Sequence, residues 1–139
     1  MITATVKWVD GLKFVGESGT GHTIVMDADT EFGGKNAGVR PTELLLIGLG
    51  GCSGMDIMSV LQKKKQHVLS LEARVTGEKS EEKPRKFVKF NIEYVVTGKD
   101  ISEEAVKKAV ELSMEKYCSV KLTLEGSAKV TYSYKVVNI

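Results

Sequence analysis

Ile2, Ala4, Val6 and Trp8 alternate with Thr3, Thr5 and Lys7, the period-two pattern of a strand with one face on a core, and Asp10-Gly11 is a hairpin signal. A second strand over about 12–17 turns at Gly19-Thr20-Gly21 into a third over 22–27, which makes a meander. The glycine-rich stretch 29–40 reads as a loop, and Pro41 suits the first position of the helix after it. From 41 to about 65, apolar residues occupy nearly every side: Leu44, Leu45, Leu46, Ile47, Leu49, Met55, Ile57, Met58, Val60 and Leu61. A helix with so little polar face is expected to be buried.

Leu69, Leu71, Ala73 and Val75 alternate as a fourth strand, 77–84 is a charged turn, and a fifth strand covers about 85–96. Ser102 is placed to cap a second helix, with Glu103 and Glu104 in its first turn and a staple between Ile101 and Val106. Val106, Ala109, Val110, Ser113 and Tyr117 form its inward stripe. After Cys118 a short turn leads to a last strand over about 127–137. With no internal repeat, low-complexity segment or domain boundary, residues 1–139 read as a single α+β domain. Its antiparallel strands pack around two helices, the first long, buried and carrying Cys52.

Composition narrows the function. Hydrophobic residues at 42% and charged residues at 27% are those of a soluble globular protein. Twenty basic against 18 acidic residues, a net charge of +2, give no electrostatic footprint for nucleic acid. The run Lys63-Lys64-Lys65 reads as a helix end favoured by the dipole. The start, Met1 to Trp8, has no basic region followed by a long apolar one, and no stretch approaches the ~18 apolar residues of a membrane span. A cytoplasmic protein with no membrane partner is the expectation. There thiols stay reduced, and a cysteine pair is more often catalytic or redox-active than a structural staple.

Two cysteines are all the chain has. Cys52 lies in Gly48-Leu49-Gly50-Gly51-Cys52-Ser53-Gly54, and Cys118 follows the second helix in Glu115-Lys116-Tyr117-Cys118-Ser119-Val120, where a thiol is expected to be partly exposed. Two readings of Cys52 stand: an inert small hydrophobe in a buried helix, or half of a cooperating thiol pair. A dinucleotide turn at Gly48-Leu49-Gly50, with Glu72 as ribose acid, fails because Ser53 stands where the third glycine belongs. No Gly-x-Ser-x-Gly elbow supports a serine hydrolase. Metal ligation and a cofactor are not expected, since there is no Cys-x-x-Cys and His22 and His67 are remote in sequence from both cysteines. Asp56, four residues after Cys52 on the same helical face, would raise the thiol pKa if ionised and unpaired.

Pro41-Thr42-Glu43-Leu44-Leu45-Leu46, Gly50-Gly51-Cys52 and Tyr117-Cys118-Ser119-Val120 together resemble the OsmC/Ohr family of osmotically inducible and organic-hydroperoxide-resistance proteins. The order of elements agrees over essentially the whole chain. The resemblance implies an intertwined homodimer that reduces organic hydroperoxides, with Cys52 as peroxidatic thiolate, Cys118 as resolving thiol, and a dithiol reductant, of lipoyl type or a small thiol, restoring both. The family's acid directly after the motif proline is Thr42 here, with Glu43 one place later, and Arg40 is the candidate for its helper arginine.

In a helix starting at Pro41, Glu43 lies ~13 Å along the axis from Cys52 and on the opposite face. Arg40 lies farther still. Two such helices packed antiparallel about an axis near Ile47 would bring Arg40 and Glu43 of one subunit to Cys52 of the other, a composite site in a homodimer. From a different class, a non-catalytic module binding a fatty acyl or similar apolar ligand, or sensing redox state, fits an aliphatic pocket beside Cys52.

Overall fold

Gly11, at φ +50°, makes the tight turn between β1 (Ala4–Asp10) and β2 (Lys13–Ser18), and the indole N–H of Trp8 donates to its carbonyl at 2.8 Å. Gly21, at φ +90°, helps turn β2 into β3 (Thr23–Met26), which completes an antiparallel β1-β2-β3 meander. The computed structural model describes residues 1–139 as two compact units, Met1–Leu45 and Leu46–Ile139, and this meander belongs to the first. Asp27 organises the loop that follows. Its buried carboxylate accepts the backbone N–H groups of Ala28, Lys35 and Ala37, so one side chain ties down three orphan donors. Gly34 and Gly38 are needed there because an added Cβ would collide with the backbone of Ala28 or Val25. The alternation in β1 is real, yet the strand is exposed along its whole length: Val6 and Trp8 have no covering layer in their own unit.

The second unit is built on a sheet of order β4-β5-β6. β4 (His67–Lys79) and β5 (Phe87–Lys99) are long antiparallel partners with Leu71 opposite Val96 and Ala73 opposite Tyr94. β6 (Lys129–Asn138) runs parallel to β5, which corrects the expectation of antiparallel pairing throughout. The reason is the connection: α2 (Glu103–Leu112) and α3 (Ser119–Leu124) carry the chain back to the starting end of β5, and a helical crossover yields a parallel neighbour. The fold remains α+β, with a third helix that sequence reading took for a turn.

Strand β5 is central and its alternate residues Phe90, Ile92, Tyr94 and Val96 are buried. Against them lies α1 (Glu43–Lys63), through Leu49, Ser53, Ile57 and Leu61, spaced four apart on one face. The predicted helix over 41–65 is trimmed at each end, since Pro41 and Thr42 form a turn ahead of it. Its burial also differs from expectation. Leu45, Ile47 and Met55 are exposed, Met55 at 76%, so α1 has one buried face and one apolar face turned to solvent within a single chain. By length and mean hydropathy, 1.8 in its richest window, α1 meets the criterion for a membrane span, contrary to the reading that no stretch approaches one. Its packing on β5 gives it the role of a core helix.

Two further details depart from the pattern. Leu69 is exposed because a bulge between Val68 and Ser70 shifts the phase of β4, after which Leu71, Ala73 and Val75 face the core. Ser102 caps α2 as expected, its Oγ accepting the Ala105 N–H at 3.1 Å. Tyr117, assigned to the inward stripe, is exposed because the chain widens from α-helix to a π-helical turn over Ser113–Tyr117.

Replacing Ile57 by Ala should lower unfolding free energy by about 2–5 kcal/mol, as expected for a fully buried branched side chain. Met55→Ala should leave the fold's stability nearly unchanged. Urea unfolding of the two variants at a concentration where the protein is monomeric checks the assignment of helix faces.

Candidate thiol site

Cys52 is positioned by its neighbour. Ser53 points into the core, where its Oγ donates to the Leu49 carbonyl at 2.7 Å and accepts the buried Tyr94 hydroxyl at 2.6 Å, fixing the rotation of α1. Gly50 lets the helix sit close to the sheet: an added Cβ would lie 3.1 Å from Val75. With Ser53 inward, Cys52 is left half-buried at the margin of the core, and Asp56 follows one turn later on the same face.

Cys118 arrives from another element. The π-helical turn ends as the Cys118 N–H donates to the Ser113 carbonyl at 2.9 Å, and the residue then takes an extended conformation and caps α3. Its Sγ accepts the Lys121 N–H at 3.4 Å. The expectation of a partly exposed thiol is overturned, because Cys118 is 0% exposed. Cys52 Sγ lies 3.8 Å from Ser119 Oγ, and Cys52 Sγ, Cys118 Sγ and an Asp56 carboxylate oxygen all fall within 4.8 Å of one another. Both cysteines are free thiols, 66 positions apart in sequence, and the fold makes them neighbours.

Their environments differ in sign. Burial pushes the Cys52 thiol up, but the backbone N–H of Val120, the Cys118 thiol and the Ser119 hydroxyl favour the thiolate and bring its pKa below the ordinary value. Cys118 is pushed up to about 11, first by burial and then by donating its proton towards Cys52, although the Lys121 N–H works the other way. Asp56 opposes ionisation of both thiols, as expected from its position, yet its effect on Cys52 is outweighed by the donors around α3.

Arg40 and Glu43 belong to the first unit. The Arg40 guanidinium donates to Asn36 Oδ1 at 2.9 Å and the Gly38 carbonyl at 3.1 Å, and pairs with Asp29 at 3.7 Å. Glu43 Oε1 accepts the Arg40 N–H at 2.8 Å, closing the turn before α1. His22 and His67 lie near the start of β3 and at the first residue of β4.

Ser113 was legible only as part of an inward stripe. Its Oγ donates to Asp56 Oδ2 at 3.0 Å and so orients the acid beside the thiols. The signal for Asp56 itself was the four-residue spacing from Cys52; nothing in sequence linked either to Ser113, Ser119 or Tyr94. Asp56 also lines an open cleft of about 430 Å³ with Ser59, Val60, Lys63, Lys64, Leu112 and Tyr117.

A family model described as OsmC-like protein matches residues 33–133. Protein YhfA of Escherichia coli strain K12 is 48% identical over 134 residues, covering 96% of this chain and 97% of that protein. The crystal structure of a hypothetical protein from Aquifex aeolicus VF5 is 30% identical with a TM-score of 0.81, covering 98% of this chain and 97% of the other. An organic hydroperoxide resistance protein OsmC from Legionella pneumophila superposes with a TM-score of 0.71 at 16% identity, covering 100% and 97% of the two chains, a likeness of fold.

The contrast between the thiols has a direct readout. In reduced, chelator-treated protein, iodoacetamide should label Cys52 well before Cys118 at neutral pH, because the Cys52 thiol is shifted towards thiolate while burial pushes Cys118 up to about 11. Labelling of Cys118 should become appreciable only as the pH nears 11. Asp56→Asn should speed labelling of Cys52 by removing a like charge. Peptide mass spectrometry across a pH series measures all three.

Proposed function

This chain belongs to the OsmC-like protein family, and on that footing we propose that it is a thiol-dependent hydroperoxide reductase acting on organic hydroperoxides in a reducing cytoplasm. The observation that carries the reading is the contact between a half-buried thiol biased towards thiolate and a buried thiol biased towards the protonated form. Two-step peroxide chemistry uses that asymmetry. The Cys52 thiolate attacks the terminal peroxide oxygen, the O–O bond breaks, and the alkoxide takes a proton and leaves as an alcohol, with Cys52 as sulfenic acid. Cys118, protonated and so a poor competitor for peroxide, then attacks the sulfenic sulfur. The S–O bond breaks, hydroxide takes up the Cys118 proton and leaves as water, and a Cys52–Cys118 disulfide remains. A dithiol of lipoyl type, or a small thiol, returns the pair to the reduced form.

Asp56, beside both sulfurs, also lines a cleft that includes Val60, Leu112 and Tyr117, side chains suited to the apolar body of an organic hydroperoxide. The fold is shared with solved proteins titled as organic hydroperoxide resistance proteins, among them OhrB of Bacillus subtilis. A homodimer is part of the proposal: Ile47 and Met55 on α1, and Val6 and Trp8 on β1, leave apolar surface uncovered in one chain. In such a dimer Arg40 or Glu43 of one subunit would serve Cys52 of the other.

Addition of cumene hydroperoxide to the reduced protein should form the Cys52–Cys118 disulfide, while Cys118→Ser should accumulate a sulfenic acid trappable with dimedone. Cys52→Ser should abolish turnover. Absence of any mass change on either thiol after peroxide treatment would leave ligand binding as the better reading.

Composite sites predict subunit complementation. Arg40→Ala and Cys52→Ser proteins, each inactive alone, should recover about a quarter of wild-type activity after co-refolding, since half the dimers are mixed and each mixed dimer restores one of two sites. Kinetics and sedimentation on the same samples check this. Full activity in a monomer rules it out.

A further inference from the structure

The thiol site lacks the group that a thiolate-activating site would ordinarily contain. No lysine or arginine is a hydrogen-bonding or ion-pair partner of Cys52, Cys118 or Asp56 through its side chain: Lys121 Nζ pairs with Glu125, and its contribution to Cys118 is a backbone N–H. The charged side chain next to the sulfurs is instead an acid. Three donors, each anionic when deprotonated, therefore converge within 4.8 Å with no counter-charge of their own.

We propose that the reduced protein binds one thiophilic divalent cation, with Zn²⁺ as the best fit, through Cys52 Sγ, Cys118 Sγ and an Asp56 carboxylate oxygen. The donor chemistry selects the metal. Two thiolates and one carboxylate form a borderline-soft set that suits Zn²⁺ and excludes the oxygen-preferring Mg²⁺ and Ca²⁺. Zn–S bonds of about 2.3 Å in a tetrahedral site place two sulfurs ~3.8 Å apart, so donors already within 4.8 Å need only a small closure.

The scaffold matches this purpose. Cys52 and Asp56 are four residues apart on one face of a 21-residue helix, the spacing by which helices commonly offer two ligands to one ion. The third donor comes from the N-cap of α3, so the site bridges two elements of the same unit. Each donor also has an orienting partner. Ser113 Oγ–H holds the Asp56 carboxylate at 3.0 Å, the Lys121 N–H holds Cys118 Sγ at 3.4 Å, and Ser119 Oγ lies 3.8 Å from Cys52 Sγ. Outer partners of this kind fix ligand geometry in metal sites. The cleft reaching Asp56 supplies an entry path, and three protein ligands leave a fourth position for water.

Metal binding and disulfide formation then compete for the same sulfurs. Two thiolates, one hydroperoxide and two protons give a disulfide, an alcohol and water, and the metal loses two of its three protein ligands. The inference does not depend on peroxidase activity, because binding belongs to the reduced protein in the absence of peroxide.

Titration of the reduced, full-length protein with Co²⁺ in the absence of air is the test, followed by displacement with Zn²⁺ against a chromophoric chelator. One equivalent per chain should bind with a near-ultraviolet thiolate-to-cobalt charge-transfer band and tetrahedral visible bands. Cys52→Ser and Cys118→Ser should each reduce the charge-transfer intensity and weaken Zn²⁺ affinity, Asp56→Asn should weaken it at least tenfold, and Ser113→Ala about tenfold. His67→Ala, at the exposed first residue of β4, should bind as wild type does, and the oxidised protein should not bind. Circular dichroism confirms that each variant is folded. A cobalt spectrum without the charge-transfer band, or an affinity that Asp56→Asn leaves unchanged in folded protein, overturns the proposal, whatever the outcome of peroxide assays.

Discussion

The seating of α1 on the middle of β5 is the constraint from which the site follows. Tyr94 is fully buried, and its hydroxyl must find a partner there because an unpaired buried hydroxyl costs about 1–3 kcal/mol. Ser53 Oγ supplies it at 2.6 Å while donating to its own helix backbone at 2.7 Å. That chain of hydrogen bonds selects one rotation of the helix. Leu49, Ile57 and Leu61 lie on the same face and bury with it, whereas Cys52 and Asp56 are carried to the margin. Burial holds Tyr94 in its neutral form, with a pKa near 12, so the bond persists across the physiological range.

The second thiol reaches the first through an irregularity. A regular α-helix continued beyond Leu112 would keep an i to i+4 ladder through Cys118; the π-helical turn instead gives the Cys118 N–H to Ser113 and releases the chain into an extended residue. Ser113 therefore has two tasks at one position. Its carbonyl ends the turn that presents Cys118, and its hydroxyl holds Asp56 beside both sulfurs. Helix irregularities of this type are found often at functional sites, where a regular element could not deliver the side chain.

The electrostatics are set by backbone donors more than by charged side chains. Cys52 gains its thiolate bias from N–H and O–H groups around the start of α3, Cys118 loses its own to burial, and Asp56 pushes both towards the protonated form. Hydrogen bonds to the charged form and desolvation thus act in opposite directions on two sulfurs in the same site. A site with an acid in that place is suited to receive positive charge from outside, whether from a partner subunit's guanidinium or from a metal ion.

Much of this was written in local pattern. The hairpin at Asp10-Gly11, the Ser102 cap, the alternation of β5 and the long apolar stretch of α1 all depend on neighbours a few residues apart, and periodicity reports such contacts directly. Motif residues around Pro41, Cys52 and Cys118 were enough to suggest the family. Other features needed the folded chain. Leu69 left the core because a bulge changed the phase of β4, a feature that alternation alone does not carry. Segment 119–124 became a helix capped by a buried cysteine, and β6 became parallel, because both depend on where the crossover returns to the sheet. The thiol pair and its acid are likewise a tertiary fact: the cysteines are 66 positions apart, and metal-ligand spacing rules, which count along the chain, rejected a set of donors that the packing of α1 against α3 brings within 4.8 Å. The sequence by itself determined the elements and the chemical identity of the reactive groups, because those depend on local sterics and side-chain type. Only the tertiary structure decided which groups meet and which thiol is exposed, because that rests on burial and on hydrogen bonds between residues far apart in the chain.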